Sequence, residues 1–295
     1  MSVFTIAILL GFLGLFMGSF AGASVWRLRA RQLRLDEKAG EKISKAEKTQ
    51  VAKLKKQSLL NDRSVCLHCG HQLAWYDLVP LVSWLELGGK CRYCGKPIGK
   101  FEPLIEVATG LFFVVSYLFW PTLLSDPYAL AHFAIWLIAG VGLITLSVYD
   151  FKWFLLPNPV VFTLIGLGFV NSLLVLVQDK FMTTDILSIL AACGFLSGLY
   201  YVIYVGSRHQ WVGFGDIKLG LALALLLANW QQAALALFLA NAIGTLIFLP
   251  LMLSGKVERQ ARIPFGPLLI SGWFFAGLFG PQIISWYLKL ALGVS

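Results

Sequence analysis

Charge is what this sequence has least of. Only 13% of its 295 residues are Asp, Glu, Lys or Arg, against 58% hydrophobic, and the mean hydropathy is +0.76. That shortage excludes an ordinary soluble domain, whose surface needs far more charge. Lys and Arg are missing altogether before Arg27. The first apolar run therefore lacks the positive leading region of a secretory signal peptide and is expected to stay as a membrane anchor. No solenoid-type repeat is visible, and no glycine-rich cofactor loop is present. Ser19 has no candidate His and Asp at its depth, so serine-triad chemistry lacks support.

What the chain does have is long uncharged stretches. A bilayer core of about 30 Å takes about 20 apolar residues per helical crossing. Eight runs qualify as candidates, near positions 3–26, 104–120, 129–149, 160–177, 186–206, 219–228, 231–253 and 268–288. The sixth is too short to cross unless Asp216 and Lys218 lie in its first turns, which places both polar residues at membrane depth. The expected fold is an all-α polytopic membrane protein of about eight transmembrane helices, with a small cytoplasmic zinc-ribbon-like domain between helices 1 and 2. The expected division is an anchor helix over 1–26, a cytoplasmic domain over 27–103 and a seven-helix membrane domain over 104–295.

Of the 24 basic residues, 16 lie between Arg27 and Lys100. In an alternating eight-helix arrangement Lys152, Arg208, Lys218, Lys256, Arg259 and Arg262 fall on the same side, and only Lys180 and Lys289 fall opposite. The positive-inside rule then puts the 27–100 segment in the cytoplasm and both termini on the other side. The formal charge of +9 follows from this topology and from attraction to anionic lipid heads, so no nucleic-acid partner is expected. Positions 27–61 are rich in Lys, Glu, Ala and Leu, lack proline and set Glu41 four residues before Lys45, which favours a solvated helix carrying a weak stripe of Ile43, Val51 and Leu54. In the first helix Gly14, Gly18 and Gly22 recur every four residues, with Gly11 less regular, making a face that another helix can approach closely.

Four of the five cysteines form two CxxC pairs, Cys66/Cys69 and Cys91/Cys94, 21 residues apart. Each pair can offer two thiolates from a tight turn, Gly70 and Gly95 follow the second cysteines where such turns want conformational freedom, and two pairs complete a tetrahedral metal site. A closed shell of four thiolates argues for a structural ion, by default zinc, over a redox pair. His68 and His71 lie nearby as alternative ligands or exposed turn residues. Cys193 is expected to be a small buried apolar residue.

Ionisable groups at membrane depth are costly and mark function. Asp150 ends the third run and Asp216 opens the sixth in Gly213-Phe214-Gly215-Asp216, and the topology puts both at one depth on one side. Two carboxyls held together cannot both ionise easily, so one keeps its proton while the other is a base, the division needed to activate one water against a peptide carbonyl. Taken singly, each is a helix-end acid, favoured by the dipole in the case of Asp216. The alternative function is an ion-coupled membrane transporter using the same aspartates. Glu102 and Glu106 are expected to be first-turn acids, and Asp126, Asp179 and Asp185 to lie in far-side loops without an evident partner.

Taken together these elements resemble the bacterial type IV prepilin peptidases, the prepilin leader peptidase/N-methyltransferases. The likeness runs through Gly18-Ser19-Phe20 leading to Arg27, the double CxxC with Tyr76-Asp77-Leu78-Val79-Pro80-Leu81-Val82-Ser83-Trp84 between its pairs, Gly89-Lys90, Asp150 with Leu156-Pro157, the Gly-x-Gly-Asp box ending at Asp216, and Pro264-Phe265-Gly266-Pro267. The resemblance implies that Asp150 and Asp216 are the catalytic pair of an aspartic endopeptidase, that Cys66, Cys69, Cys91 and Cys94 bind zinc, and that the substrates are prepilins or pseudopilins of type IV pili and type II secretion. It further implies N-methylation of the new N-terminus with S-adenosylmethionine, in the bacterial inner membrane. Two departures stand out: Asn158 where many relatives read Leu-Pro-Asp, and a longer charged stretch over 29–61.

Overall fold

A computed structural model describes residues 2–40, 45–51, 54, 63–256 and 263–292. By packing, the chain divides into two units, Met1–Leu118 and Phe119–Ser295. The described residues are helical apart from turns and two isolated β-bridges. Among the described residues seven helices are long and apolar enough to cross a membrane: α1 (Val3–Lys38), α4 (Phe101–Leu118), α5 (Pro127–Trp153), α6 (Asn158–Gln178), α7 (Thr183–Gly206), α9 (Trp230–Leu253) and α10 (Gly266–Leu292). Between them lie the short α2 (Lys45–Val51), α3 (Val82–Glu86) and α8 (Phe214–Leu227). The chain is a multi-pass membrane protein.

In the first unit α1 and α4 form an antiparallel hairpin closed by glycine. A Cβ on Gly14 would stand 2.8 Å from the Thr109 carbonyl oxygen, and one on Gly18 would stand 2.6 Å from the Glu106 Cα. Gly22 faces only a side chain, Ile105, at 3.8 Å, so the close approach belongs to Gly14 and Gly18. The expected glycine face is therefore real and its partner is α4. Past the membrane α1 runs on to Lys38, and α2 folds back on it. Val51 and Leu54 pack against Ala30, Leu33 and Trp26, while Arg29 pairs with Glu47 at 2.7 Å. This part of the charged stretch is thus a small packed hairpin rather than a solvated spacer; Glu41 and Ile43 lie outside the described residues.

In the second unit the short α8 sits at the centre. Its Leu219, Ala222, Leu223 and Ala224 are fully buried. Fourteen residues at 1.5 Å each reach only about 21 Å, so α8 ends within the apolar layer, where no water can satisfy its last carbonyls. Side chains of α6 do so instead. Asn171 Nδ2 donates to the Leu226 carbonyl at 3.0 Å and Ser172 Oγ to the Leu225 carbonyl at 2.8 Å, while His132 Nδ1 lies 2.7 Å from Asn171 Oδ1. At the opposite end α7 opens into a π-turn over Gly194–Gly198, and the Ser197 hydroxyl donates to the Ile217 carbonyl at 3.0 Å. A Cβ on Gly220 would meet the Leu196 carbonyl oxygen at 1.8 Å. Gly220→Ala should therefore force α7 and α8 apart and cost about 1–3 kcal/mol or more, read as a lowered thermal midpoint of the purified chain in detergent.

Candidate functional site

Asp150 and Asp216 reach one neighbourhood from opposite helix polarities. Asp150 lies in the last turn of α5, which Phe154 closes in a left-handed conformation at φ 53° while its N–H donates to the Asp150 carbonyl at 2.8 Å. A carboxylate is disfavoured at a helix C-terminus. Here it is only 6% exposed, and the Gly266 N–H at the start of α10 donates to Asp150 Oδ2 at 3.0 Å, so the positive end of one helix answers the negative end of another. Asp216 occupies the first turn of α8, where the dipole favours it, with Oδ2 3.3 Å from where a Cβ on Gly213 would stand. The two carboxyls lie within electrostatic reach of each other.

Several residues bring them together. Leu156, in the connector that follows Asp150, packs 3.2 Å from where a Cβ on Gly215 would stand. Asn158 accepts a hydrogen bond from Lys218, which also lies over the rings of Phe162 and Phe214. Lys218 thus joins the connector after Asp150 to the turn that carries Asp216. Tyr200 of α7 is buried and stands edge-on to Phe265 with centroids 5.6 Å apart. Sequence reasoning assigned no role to Gly266 or Tyr200. For Gly266 the signal was the Pro-Phe-Gly-Pro run, which breaks the backbone free just where an N–H must point at an acid. A Cβ on Gly266 would stand 2.8 Å from Asp150 Oδ2. Gly266→Ala should displace that carboxyl, and any reaction that depends on its position should slow by roughly tenfold or more in kcat with little change in KM.

The four cysteines form a second constellation in the first unit. Their sulfurs all lie within 4.8 Å of one another, with Cys66 and Cys94 at 3.9 Å. Tetrahedral bonds of about 2.3 Å put sulfurs roughly 3.8 Å apart, so the cluster can hold a metal ion such as zinc with modest contraction. Each pair sits in the same knuckle. The Cys66 N–H donates to His71 O and Gly70 N–H to Cys66 O, as Cys91 N–H does to Lys96 O and Gly95 N–H to Cys91 O, all at 2.8–2.9 Å. Gly70 and Gly95 take φ of 74° and 67°, the freedom expected of them. Neither histidine joins the group: His68 is exposed and His71 stacks on Tyr93 at 3.7 Å. Asp77 ties the intervening loop to the second knuckle through Arg92 Nε and Tyr93 Oη, both at 2.9 Å. Burial alone would raise its carboxyl, but those bonds and the Ala74 N–H hold it below the usual carboxylate range.

The remaining acids divide. Asp126 caps α5 by accepting from Tyr128 and Ala129 N–H at 3.0 Å. Glu102 is a first-turn acid of α4 that accepts from the Trp26 indole at 3.2 Å. Glu106 lies a turn deeper, 8% exposed, where it accepts from the Leu81 N–H at 2.8 Å. Its burial comes from Gly18, which lets α1 close over it.

Fold and site together define a multi-pass membrane protein with two acids at the ends of distant helices and, in its N-terminal unit, a four-cysteine cluster that can hold a metal ion. The model for the Bacterial Peptidase A24 N-terminal domain matches residues 12–120, and that for the Type IV leader peptidase family matches residues 137–249. Prepilin leader peptidase/N-methyltransferases are similar over most of their length. The protein from Pseudomonas aeruginosa is 33% identical over 95% of this chain and 92% of its own, and that from Aeromonas hydrophila 33% identical over 78% and 76%. The Bacillus subtilis protein is 30% identical over 80% and 89%. No solved structure gives a significant match. The chain belongs to the type IV leader peptidase family, a family of aspartic peptidases. Nothing in these likenesses supports the ion-coupled transporter.

Proposed function

We propose that this chain removes the leader peptide of type IV prepilins and pseudopilins at the cytoplasmic face of the bacterial inner membrane, with Asp150 and Asp216 as the catalytic pair. The observation that supports this reading is that Leu156, six residues after Asp150, packs against Gly215 beside Asp216, with the two acids, 66 positions apart in sequence, at the ends of α5 and α8. One carboxylate takes a proton from a water as its oxygen attacks the scissile carbonyl, and the other, protonated, gives its proton to the forming oxygen. On collapse the second carboxylate takes a hydroxyl proton back as the carbonyl re-forms, and the amide nitrogen leaves with a proton returned from the first. Gly266 holds Asp150, and the Leu156–Gly215 and Asn158–Lys218 contacts hold the two strands of the site in register. Asn158, the departure from Leu-Pro-Asp, thereby keeps a structural task as acceptor for Lys218.

The relatives' names add N-methylation of the freed amine, a reaction for which S-adenosylmethionine supplies the methyl group. In this reading the ion held by Cys66, Cys69, Cys91 and Cys94 is zinc, and it braces the cytoplasmic module without touching the peptide bond. The concentration of basic residues over 27–100 supports a cytoplasmic module and site, with both termini opposite. The test is a purified prepilin incubated with the purified chain in detergent. The expected result is a product shortened by its leader and, only when S-adenosylmethionine is added, heavier by one methyl group; an uncut prepilin overturns the proposal.

A further inference from the structure

The residues between the two CxxC pairs do work that neither metal binding nor peptide cleavage accounts for. The run from Leu78 to Leu85 carries no charge, and two of its large side chains are left open: Val82 is 60% and Leu85 68% exposed, preceded by Trp75 at 78% and Tyr76 at 44%. Apolar groups at this density on a water-facing module want a cover.

Their depth supplies it. Leu81 donates its N–H to Glu106, and Glu106 packs at Gly18 of α1, with Ser19 also bonding its carboxyl. The apolar part of α1 continues eight residues beyond Gly18, to Trp26, which is about 12 Å at 1.5 Å per residue. The Glu106 backbone therefore sits about 12 Å inside the level at which α1 leaves its apolar stretch, and the Leu81 N–H lies within one glutamate side chain of it. A non-helical backbone at that depth is tolerated only if its polar groups are paired within the protein. Much of this backbone is so paired: besides the Leu81–Glu106 bond, Val82 N–H donates to Pro80 O, Ser83 N–H and Oγ to Val79 O, Leu85 N–H to Leu81 O, Leu87 N–H to Ser83 O, Gly88 N–H to Leu85 O and Gly89 N–H to Trp84 O, while the buried Trp84 indole N–H finds no partner. Leu81 holds φ 58° to present its N–H to the acid, a strained conformation for a branched residue that the Glu106 bond maintains. Charge resumes at Glu86, which reaches Arg92 of the second knuckle at 3.5 Å.

We propose that residues 79–87 are a re-entrant element that dips from the cysteine module into the lipid layer beside the α1–α4 hairpin, with Val82 and Leu85 in contact with lipid chains and Trp75 and Tyr76 at the headgroup level. Trp and Tyr favour that level because their rings are apolar at one end and polar at the other. Glu106 is the peg that holds the element at depth, which accounts for a buried acid outside the aspartate pair. The inference rests on the membrane reading alone and not on the peptidase assignment.

The experiment uses the full chain in vesicles of phosphatidylethanolamine and phosphatidylglycerol, with a photoreactive benzophenone side chain at position 82 or 85. The same group at Ile8, a lipid-exposed position of α1, serves as the reference. The expected result is lipid adducts at 82 and 85 at a level comparable with position 8, found by mass spectrometry. Adducts to a second protein chain instead, or no adduct while position 8 labels, overturn the proposal. Hydrogen exchange of the unsubstituted chain provides a reading free of any replacement: amides 82–87 should exchange several-fold more slowly in vesicles than those of the exposed knuckle at 68–72, and equal rates overturn it.

Discussion

Asp150→Asn and Asp216→Asn are each expected to lose prepilin cleavage, by roughly 10²–10⁴-fold, the usual contribution of a positioned acid or base. Asn keeps the size of Asp and its capacity to accept from the Gly266 N–H, so loss of rate in Asp150→Asn isolates the proton-handling role from packing. The effects should not add. When two groups act on one water, removing either disables the unit, so the double variant should be little slower than each single one. The measurement is the initial rate with purified prepilin, alongside the thermal midpoint to show that each variant remains folded. A variant that keeps its rate, or a double variant slowed by the product of the two factors, removes the paired mechanism.

The second large effect concerns the metal centre. Cys66→Ser and Cys91→Ser should each leave the purified chain with much less than one zinc per molecule, measured by metal analysis, because a three-thiolate site loses the closed tetrahedral shell. Structural zinc can contribute about 10–16 kcal/mol of binding free energy in small modules, so the consequence should be local unfolding of the segment between α1 and α4. Limited proteolysis should then cut within 63–100 in the variants and spare the parent chain. Acid should do the same reversibly. In the absence of an ion burial pushes the Cys66 thiol up to about 12, so protons compete strongly with the metal as pH falls. Equal zinc content in parent and variant would refute the assignment.

The helices were legible in the sequence for a simple reason: in lipid the chain must satisfy its backbone internally, so uncharged length translates directly into helix. The eight runs correspond to α1 and to α4 through α10, and the short sixth run did draw Asp216 and Lys218 into the first turns of α8. Less legible was how α8 could end early. Asn171 and Ser172 sit inside an apolar run and look incidental until their targets, the last carbonyls of α8, are seen 53–55 positions away. Glu106 was misjudged for a similar reason. Its place near the start of α4 suggested a first-turn acid, and only the approach of Gly18 shows it a turn deeper, buried and bonded to Leu81. The cysteine centre was readable in full, because CxxC followed by Gly prescribes its own turn.

Local chemistry, then, was enough to indicate the membrane class, the helix positions, the candidate metal ligands and the two candidate acids, since each shows itself in a short stretch of sequence: an uncharged run, a CxxC-Gly pair or an acid at the end of a run. Tertiary structure decided the rest. That Asp150 finds the Gly266 N–H 116 positions on, that Leu156 meets Gly215 across the site, and that the loop at Leu81 is pegged deep beside α1 are consequences of how helices of fixed polarity pack, and linear spacing carries no information about which helix ends will meet.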